Sequence, residues 1–286
     1  MLRVINRAKS KLSAASAQVL EWINKDLGMS GAASDKIIAA GGCIASLISG
    51  SGPKDYDFFF VDRRSAGEFL EVVVGKVLDD SNLEARVVSD ALRKRIMIKY
   101  NTLPTGAAVG EAYGYVDEDG YTAFFTLAAD NIPNRPVGLL SISPTAVTIR
   151  LDDGKVAQIV YAHQVDAKSI GDTFDFLHTM GYYTPDNDEL HISRKLLLSI
   201  AAKRLVYTGS QYPISSMQRM LKFVERGWRI DAVDMLAIAL DIANLDLSDP
   251  YTLGDQVFGI DLMAFTEEQR ALLADTHIAS ILKEAL

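Results

Sequence analysis

Apolar residues recur at helical spacing from the start of the chain: Leu2, Ile5, Leu12, Val19, Leu20, Trp22, Ile23 and Leu27, with Gly28 as a stop. The spacing predicts a helix packed on a core, its wet side carrying Arg3, Arg7, Lys9 and Lys11. The pattern then changes. Ile37 to Ala40 are small or apolar and run into Gly41-Gly42, a short helical run spans Cys43 to Ser49, and Gly50 to Lys54 read as a loop. Asp55-Tyr56-Asp57 leads into Phe58-Phe59-Phe60-Val61, which reads as a buried strand. Further on, Ser65 to Glu68 has capping-box spacing ahead of the mainly apolar run Phe69 to Leu78. Strand-like pieces follow at Ala85 to Val88 and Ile96 to Tyr100, and the loop-rich stretch 101–134 holds a hairpin pattern at Tyr113 to Val116 and Tyr121 to Leu127.

A clearer hairpin pairs Ala146 to Leu151 with Val156 to Tyr161 around Asp152-Asp153-Gly154-Lys155. A short polar helix, Asp166 to Thr173, leads to Phe174-Asp175-Phe176-Leu177-His178. From Ile192 onward the period is helical. Ser193 is placed to cap a helix over Arg194 to Val206, with Leu196, Leu197, Ile200 and Leu205 as its apolar stripe. Pro213 suits the start of a helix over Ile214 to Arg226, ended by Gly227. Amphipathic segments at Val233 to Ile242, Glu267 to Ala274 and Ile278 to Leu286 close the chain.

Strand alternation puts Asp55 and Asp57 on one face. Two neighbouring carboxylates repel each other unless a cation sits between them, and hard oxygen ligands of that kind suit Mg²⁺ shared with substrate phosphates. Gly41 and Gly42 let the backbone approach a triphosphate, and the helix after them presents free N–H groups to the anion. The carboxylate spacing alone means little, since Asp117/Asp119 and Asp186/Asp188 repeat it in polar loops. What discriminates is the order: strand, Gly-Gly, helix, loop, then Asp-x-Asp opening a strand. The competing reading is a surface turn with two solvated aspartates.

Composition narrows the picture. The 286 residues suffice for one large domain or two modest ones, and no apolar run reaches membrane-spanning length or forms a signal-peptide core. A cytoplasmic protein is expected. The single cysteine, Cys43, excludes an intramolecular disulfide, and four scattered histidines show no zinc-ligand spacing. The net charge of −8 is unevenly spread. Residues 191–230 carry eight bases against Glu225 alone, whereas 231–286 carry eleven acids and two bases. Such a basic block either attracts a phosphate-bearing partner or forms ordinary solvated helix faces. Within it Arg219, Lys222 and Arg226 share one helix face, expected to look onto a cleft and meet a triphosphate or an RNA backbone.

The core motif resembles the polymerase-β-type nucleotidyltransferases, in particular the bacterial CCA-adding enzyme and poly(A) polymerase branch, whose pattern runs Gly-Gly-x-x-Arg-Asp-x-Leu-x-Gly, loop, Lys-Asp-x-Asp. The matching residues are Gly41 to Gly50 and Lys54-Asp55-Tyr56-Asp57, with Ala45-Ser46 where the family has Arg-Asp. The resemblance implies an α+β fold: a nucleotidyltransferase core with a mixed β-sheet flanked by helices, then an all-helical C-terminal domain. Residues 1–30 would be a helix on the core, 31–190 the catalytic domain with an insertion at about 101–134, and 191–286 the helical domain. It also implies an NTP substrate, two Mg²⁺ ions on Asp55 and Asp57, and triphosphate contacts from Gly41, Gly42, Ser46 and Lys54, supplemented by Arg219, Lys222 and Arg226. The acceptor would be an RNA 3′ end or tRNA engaged by the 191–230 block.

The family's third metal-binding carboxylate, on the second strand of a hairpin, aligns at or near Gln158. Either Asp175, which matches the Asp of a later Arg-Arg-Asp-Phe segment, supplies the third acid, or the site has two carboxylates. Asp175 as a cap of the following turn is the plain alternative. His178 reads more readily as a structural histidine than as a general base. The segment Tyr207 to Trp228, with Phe174 to His178, also resembles bacteriophage proteins assigned as nucleotidyltransferases, which would place the protein in the host cytoplasm.

Overall fold

The computed structural model describes residues 1–29, 34–78, 83–89, 94–100, 127–128, 130, 132, 135–143, 145–161, 173–248, 252 and 256. The polar helix expected at Asp166 to Thr173, the hairpin within 101–134 and the segments beyond residue 256 lie largely or wholly outside these. The chain divides into two compact units: residues 1–171 with 179–193, and residues 172–178 with 194–286.

In the first unit, α1 (Leu2–Glu21) buries Ala8, Leu12, Ala15 and Val19, one face of a 3.6-residue repeat. It passes into a π-turn at Trp22–Asp26, and Trp22 donates its indole N–H to the Val137 carbonyl at 2.8 Å. β1 (Ile37–Ala40) leads through Gly41 into α2 (Gly42–Ser49), and β2 (Asp55–Phe60) follows. α3 (Arg63–Val72) starts earlier than the capping-box spacing suggested. Its cap is Asp62, which accepts from the Ser65 N–H at 2.7 Å and the Ser65 hydroxyl at 2.8 Å, while Glu68 pairs with Arg64. The acid nearest the first-turn N–H groups takes the capping role.

β3 (Leu83–Ser89) and β4 (Lys94–Tyr100) form a separate antiparallel pair. β5 (Leu127–Ala128), β6 (Leu139–Ile142), β7 (Ala146–Arg150), β8 (Val156–Val160), β9 (Tyr182–Thr184) and β10 (Glu189–His191) join β1 and β2 in an eight-stranded sheet of order β10-β9-β1-β2-β8-β7-β6-β5. Every pairing is antiparallel except β2 with β8, so the sheet is mixed. The core contains Tyr56, Phe58 and Phe60 of β2, Ala39 of β1, Ile159 of β8 and Val147 and Ile149 of β7, packed with residues of α1, α2 and α3. Phe60 and Phe69 meet at 5.1 Å between ring centroids. One sheet face thus belongs to the helices. The other carries the alternate residues.

The second unit holds α4 (Arg194–Ala202), α5 (Pro213–Glu225) and α6 (Ala232–Ala243). It also contains a short parallel pair, β11 (Arg204–Leu205) with β12 (Arg229–Ile230), where only helix was expected. α4 therefore ends four residues before the expected Val206. Lys203 adopts a left-handed φ of 46°, and its carbonyl accepts from the Arg229 N–H at 2.9 Å, so strand pairing takes over the backbone groups that a longer helix would use. Phe176, Leu205, Met220 and Ile238 form the core of this unit.

Candidate functional site

Gly41 positions the start of α2 because its φ of 88° with ψ of −150° is a conformation that glycine alone adopts without strain. Its N–H donates to the Gly181 carbonyl at 3.3 Å, tying the turn to the residue before β9. α2 then buries Cys43, Ile44, Ala45 and Leu47 and ends at Gly50 in the left-handed region. The Ser46 carbonyl closes the following loop by accepting from the Gly52 N–H at 3.2 Å and from the hydroxyls of Ser49 and Ser51. A methyl group built on Gly42 would meet nothing within 4 Å, so the first turn of α2 is open there.

The register of β2 sets the carboxylates. Asp57 lies opposite Ala40 on one side and Gln158 on the other; Asp55 lies opposite Val156. Tyr56, Phe58 and Phe60 are buried, whereas Asp55 is exposed and Asp57 half-buried, so the two acids share the face away from the helices. The turn into α2 begins one residue after Ala40. Asp57 is thus abreast of it.

Burial, and then the negative charge of Asp55, push the Asp57 carboxyl up to about 7. The same neighbourhood acts on Cys43, whose buried thiol is raised by desolvation first and by Asp57 second. Cys43 donates its S–H to the Ala40 carbonyl at 3.3 Å and is packed as a small apolar group. A carboxylate raised first by burial and then by a like charge is one that a nearby cation would stabilise in its ionised form. The side-chain oxygens of Asp55, Asp57 and Gln158 form a hard donor set that fits Mg²⁺. Among the described residues no cluster of three or more Asp, Glu, His or Cys side chains surrounds a metal position.

Asp175 is placed in the second unit. It is buried, and its Oδ2 accepts from Arg219 Nε at 2.6 Å; its carbonyl accepts from the Thr208 N–H at 2.9 Å. Arg219, expected at a triphosphate, is thereby engaged with Asp175. Asp175, expected either as a third metal ligand or as a cap of the following turn, is thus ion-paired with Arg219, and Gln158 stands abreast of Asp57 at the position aligned with the third carboxylate. Arg226 lies over the Phe223 ring, 5.7 Å from its centroid; Lys222 is half-buried and Lys54 exposed.

His178 is fully buried between the rings of Phe223 and Trp228, each 4.4 Å away, and burial lowers its pKa to about 3. Neither ring nitrogen meets a hydrogen-bond partner among the described residues. The neutral ring packs as an aromatic. Sequence reasoning missed Thr148, which faces Gln158, and Arg150, which faces Val156. Their alternation in a strand was visible, but their place beside the acids depends on β8 pairing with β2.

The family model for Gabija anti-defense 2 family proteins (Gad2) matches residues 12–203. The chain belongs to this family. The matched region contains Gly41, Gly42, Asp55, Asp57, Gln158 and Asp175, and leaves Arg219, Lys222 and Arg226 beyond it. No curated protein matches the chain. Solved structures similar to it include a Thermotoga maritima CCA-adding enzyme complexed with tRNA, at 11% identity and a TM-score of 0.40, covering 92% of this chain and 50% of that one. A CCA-adding enzyme with ATP is 10% identical with a TM-score of 0.43, covering 97% and 54%. Another, with CTP, is 12% identical with a TM-score of 0.42, covering 95% and 54%. The chain spans about half the length of these enzymes.

Proposed function

We propose that the protein is a Mg²⁺-dependent nucleotidyltransferase that moves a nucleoside monophosphate from an NTP to an acceptor hydroxyl, an RNA 3′ end or tRNA. The observation that carries this reading is the shared open face of Asp55 and Asp57, abreast of the Ala40–Gly41 turn. The family's name adds a purpose: the transfer serves to counter Gabija.

Asp55 and Asp57 would hold the ion, with the Gln158 amide oxygen as a neutral third donor. When bound, Mg²⁺ supplies charge neutralisation for the triphosphate and a lowered pKa for the acceptor hydroxyl. Gly41, Gly42 and the first N–H groups of α2 receive the phosphates. The acceptor oxygen bonds to the α-phosphorus, the bond from that phosphorus to the bridging oxygen breaks, pyrophosphate leaves and the hydroxyl proton passes to solvent. The two carboxylates would balance the charge of one divalent ion, and a second ion would need the phosphates of the nucleotide as its ligands.

The test is the double variant Asp55→Ala with Asp57→Ala, supplied with each labelled NTP, Mg²⁺ and total host RNA and protein. Label transfer and protection against Gabija should both vanish while the circular-dichroism spectrum stays unchanged. Undiminished incorporation by this variant ends the proposal. Gln158 favours a second reading, a nucleotide- or RNA-binding protein without transfer. Calorimetric titration with NTP and Mg²⁺ beside a pyrophosphate-release assay separates the two: binding without pyrophosphate selects the second.

A further inference from the structure

The sheet carries two parallel rows of side chains on the face that bears Asp55 and Asp57. One row reads, across successive strands, Asp57, Gln158, Thr148 and Ser141; the other reads Asp55, Val156 and Arg150. Residues paired in register project to the same face, so all of these stand on the side of the sheet away from α1, α2 and α3. Gln158, Thr148 and Ser141 are half-buried, and Arg150 is exposed. The Arg150 guanidinium has no partner among the described residues, while its backbone N–H is fixed to the Gly138 carbonyl at 2.8 Å. Neighbouring strands are spaced by about 4.8 Å, which puts Arg150 about 10 Å across the sheet from Asp55.

The sidedness of this arrangement has a chemical meaning, which rests on the reading of the site given above. The glycine turn, and with it the triphosphate, lies on the β1 side of the acids. In-line displacement requires the attacking oxygen to approach opposite the leaving pyrophosphate. The acceptor therefore comes over β8 and β7. That strip offers an amide, two hydroxyls and a single cation. Hydroxyl and amide groups suit a ribose, and an arginine with no partner among the described residues suits the phosphodiester joining the terminal nucleotide to its neighbour.

We propose that Arg150, flanked by Thr148 and Gln158, is the acceptor-binding strip, and that it takes the 3′ end of a single-stranded RNA by its last phosphodiester. A serine or tyrosine of a protein acceptor would have no use for a cation at this distance from the reacting hydroxyl. The basic face of α5 plays no part in the inference.

The experiment measures binding of a fluorescent oligoribonucleotide with a free 3′ end to the full chain by anisotropy, with Mg²⁺ and a non-hydrolysable NTP analogue, across a salt series. Binding of the NTP analogue alone is measured by calorimetry. Arg150→Ala should weaken RNA binding about tenfold and flatten the plot of log K against log salt by about 0.7, one single-strand phosphate contact. Arg150→Lys should restore the slope but only part of the affinity. Affinity for the NTP analogue and the melting temperature should not change in either variant. Unchanged RNA affinity and slope in Arg150→Ala overturn the proposal. Equal losses for RNA and the NTP analogue also overturn it, by moving Arg150 to the triphosphate side. A wild-type protein that binds the NTP analogue but no RNA sinks this inference and leaves the nucleotide site standing; one that binds neither sinks both.

Discussion

Two aspartates in this molecule are withdrawn from water to different degrees and answered in opposite ways. Asp175 in the second unit is only 5% exposed, and its own chain supplies the counter-charge, Arg219 at 2.6 Å. Asp57 in the first unit meets no cation among the described residues and has Asp55 as a neighbour, which helps to lift its carboxyl to about 7. A carboxylate balanced from within needs no further charge, and the pair ties together the elements that carry it. One left in electrostatic tension marks where something from outside is expected. Asp175 joins the segment before α4 to α5, whereas Asp57 opens onto a glycine turn.

The largest effect should come from removing the internal counter-charge. Arg219→Ala strands a buried carboxylate and should cost about 3 kcal/mol in chemical denaturation, at the low end of the range for broken buried pairs because Arg219 is itself partly exposed. Asp175→Asn should cost less, and it should leave Mg²⁺ affinity, read by calorimetry, at the wild-type value. A fall in Mg²⁺ affinity there would restore Asp175 as a metal ligand and erase the contrast.

Next in size is Gln158→Asp, which puts a third negative charge abreast of Asp57. Mg²⁺ affinity should rise about tenfold, or about 1.4 kcal/mol, and pyrophosphate release should rise with it. Unchanged affinity would mean that residue 158 does not face the ion.

Asp57→Asn should give the smallest change, and its sign depends on pH. In the unfolded chain the carboxyl titrates near 3.8, and in the folded chain near 7. Between these values the folded state holds a proton that the unfolded state has lost, so rising pH erodes stability across that window. Asn cannot ionise. Without Mg²⁺, Asp57→Asn should melt above wild type at pH 8 by about 2–4 °C, roughly 1 kcal/mol after allowing for partial exposure, and level with it at pH 4. Mg²⁺ should narrow the difference by stabilising the wild type alone. A gain that persists at pH 4 would assign the effect to packing.

Local signals carried much of this architecture. The apolar run into Gly41-Gly42, the short helix and the Asp-x-Asp strand are adjacent in sequence, and so are the two strands of the β7–β8 hairpin around Gly154. Each is written by short-range steric and periodic rules. The partner of Asp175 was not legible, because Arg219 lies 44 residues away and was classed with Lys222 and Arg226 by helical spacing alone. The end of α4 was missed for a related reason: the pairing of Arg204 with Arg229 overrides a good helical period. Thr148 and Arg150 acquire their position only from the β2–β8 register. Propensity does not encode which strand becomes a neighbour.

That single parallel joint has a consequence for how the protein comes into being. Asp57 leaves the ribosome about a hundred residues before Gln158, and everything between them must loop out and return before the two stand side by side. A polypeptide cut short ahead of β8 would therefore own both acids yet never present them in their finished surroundings. Because contacts of such long range assemble slowly, ion-binding competence should appear only in the last stage of maturation, after the helices have already clasped the opposite face.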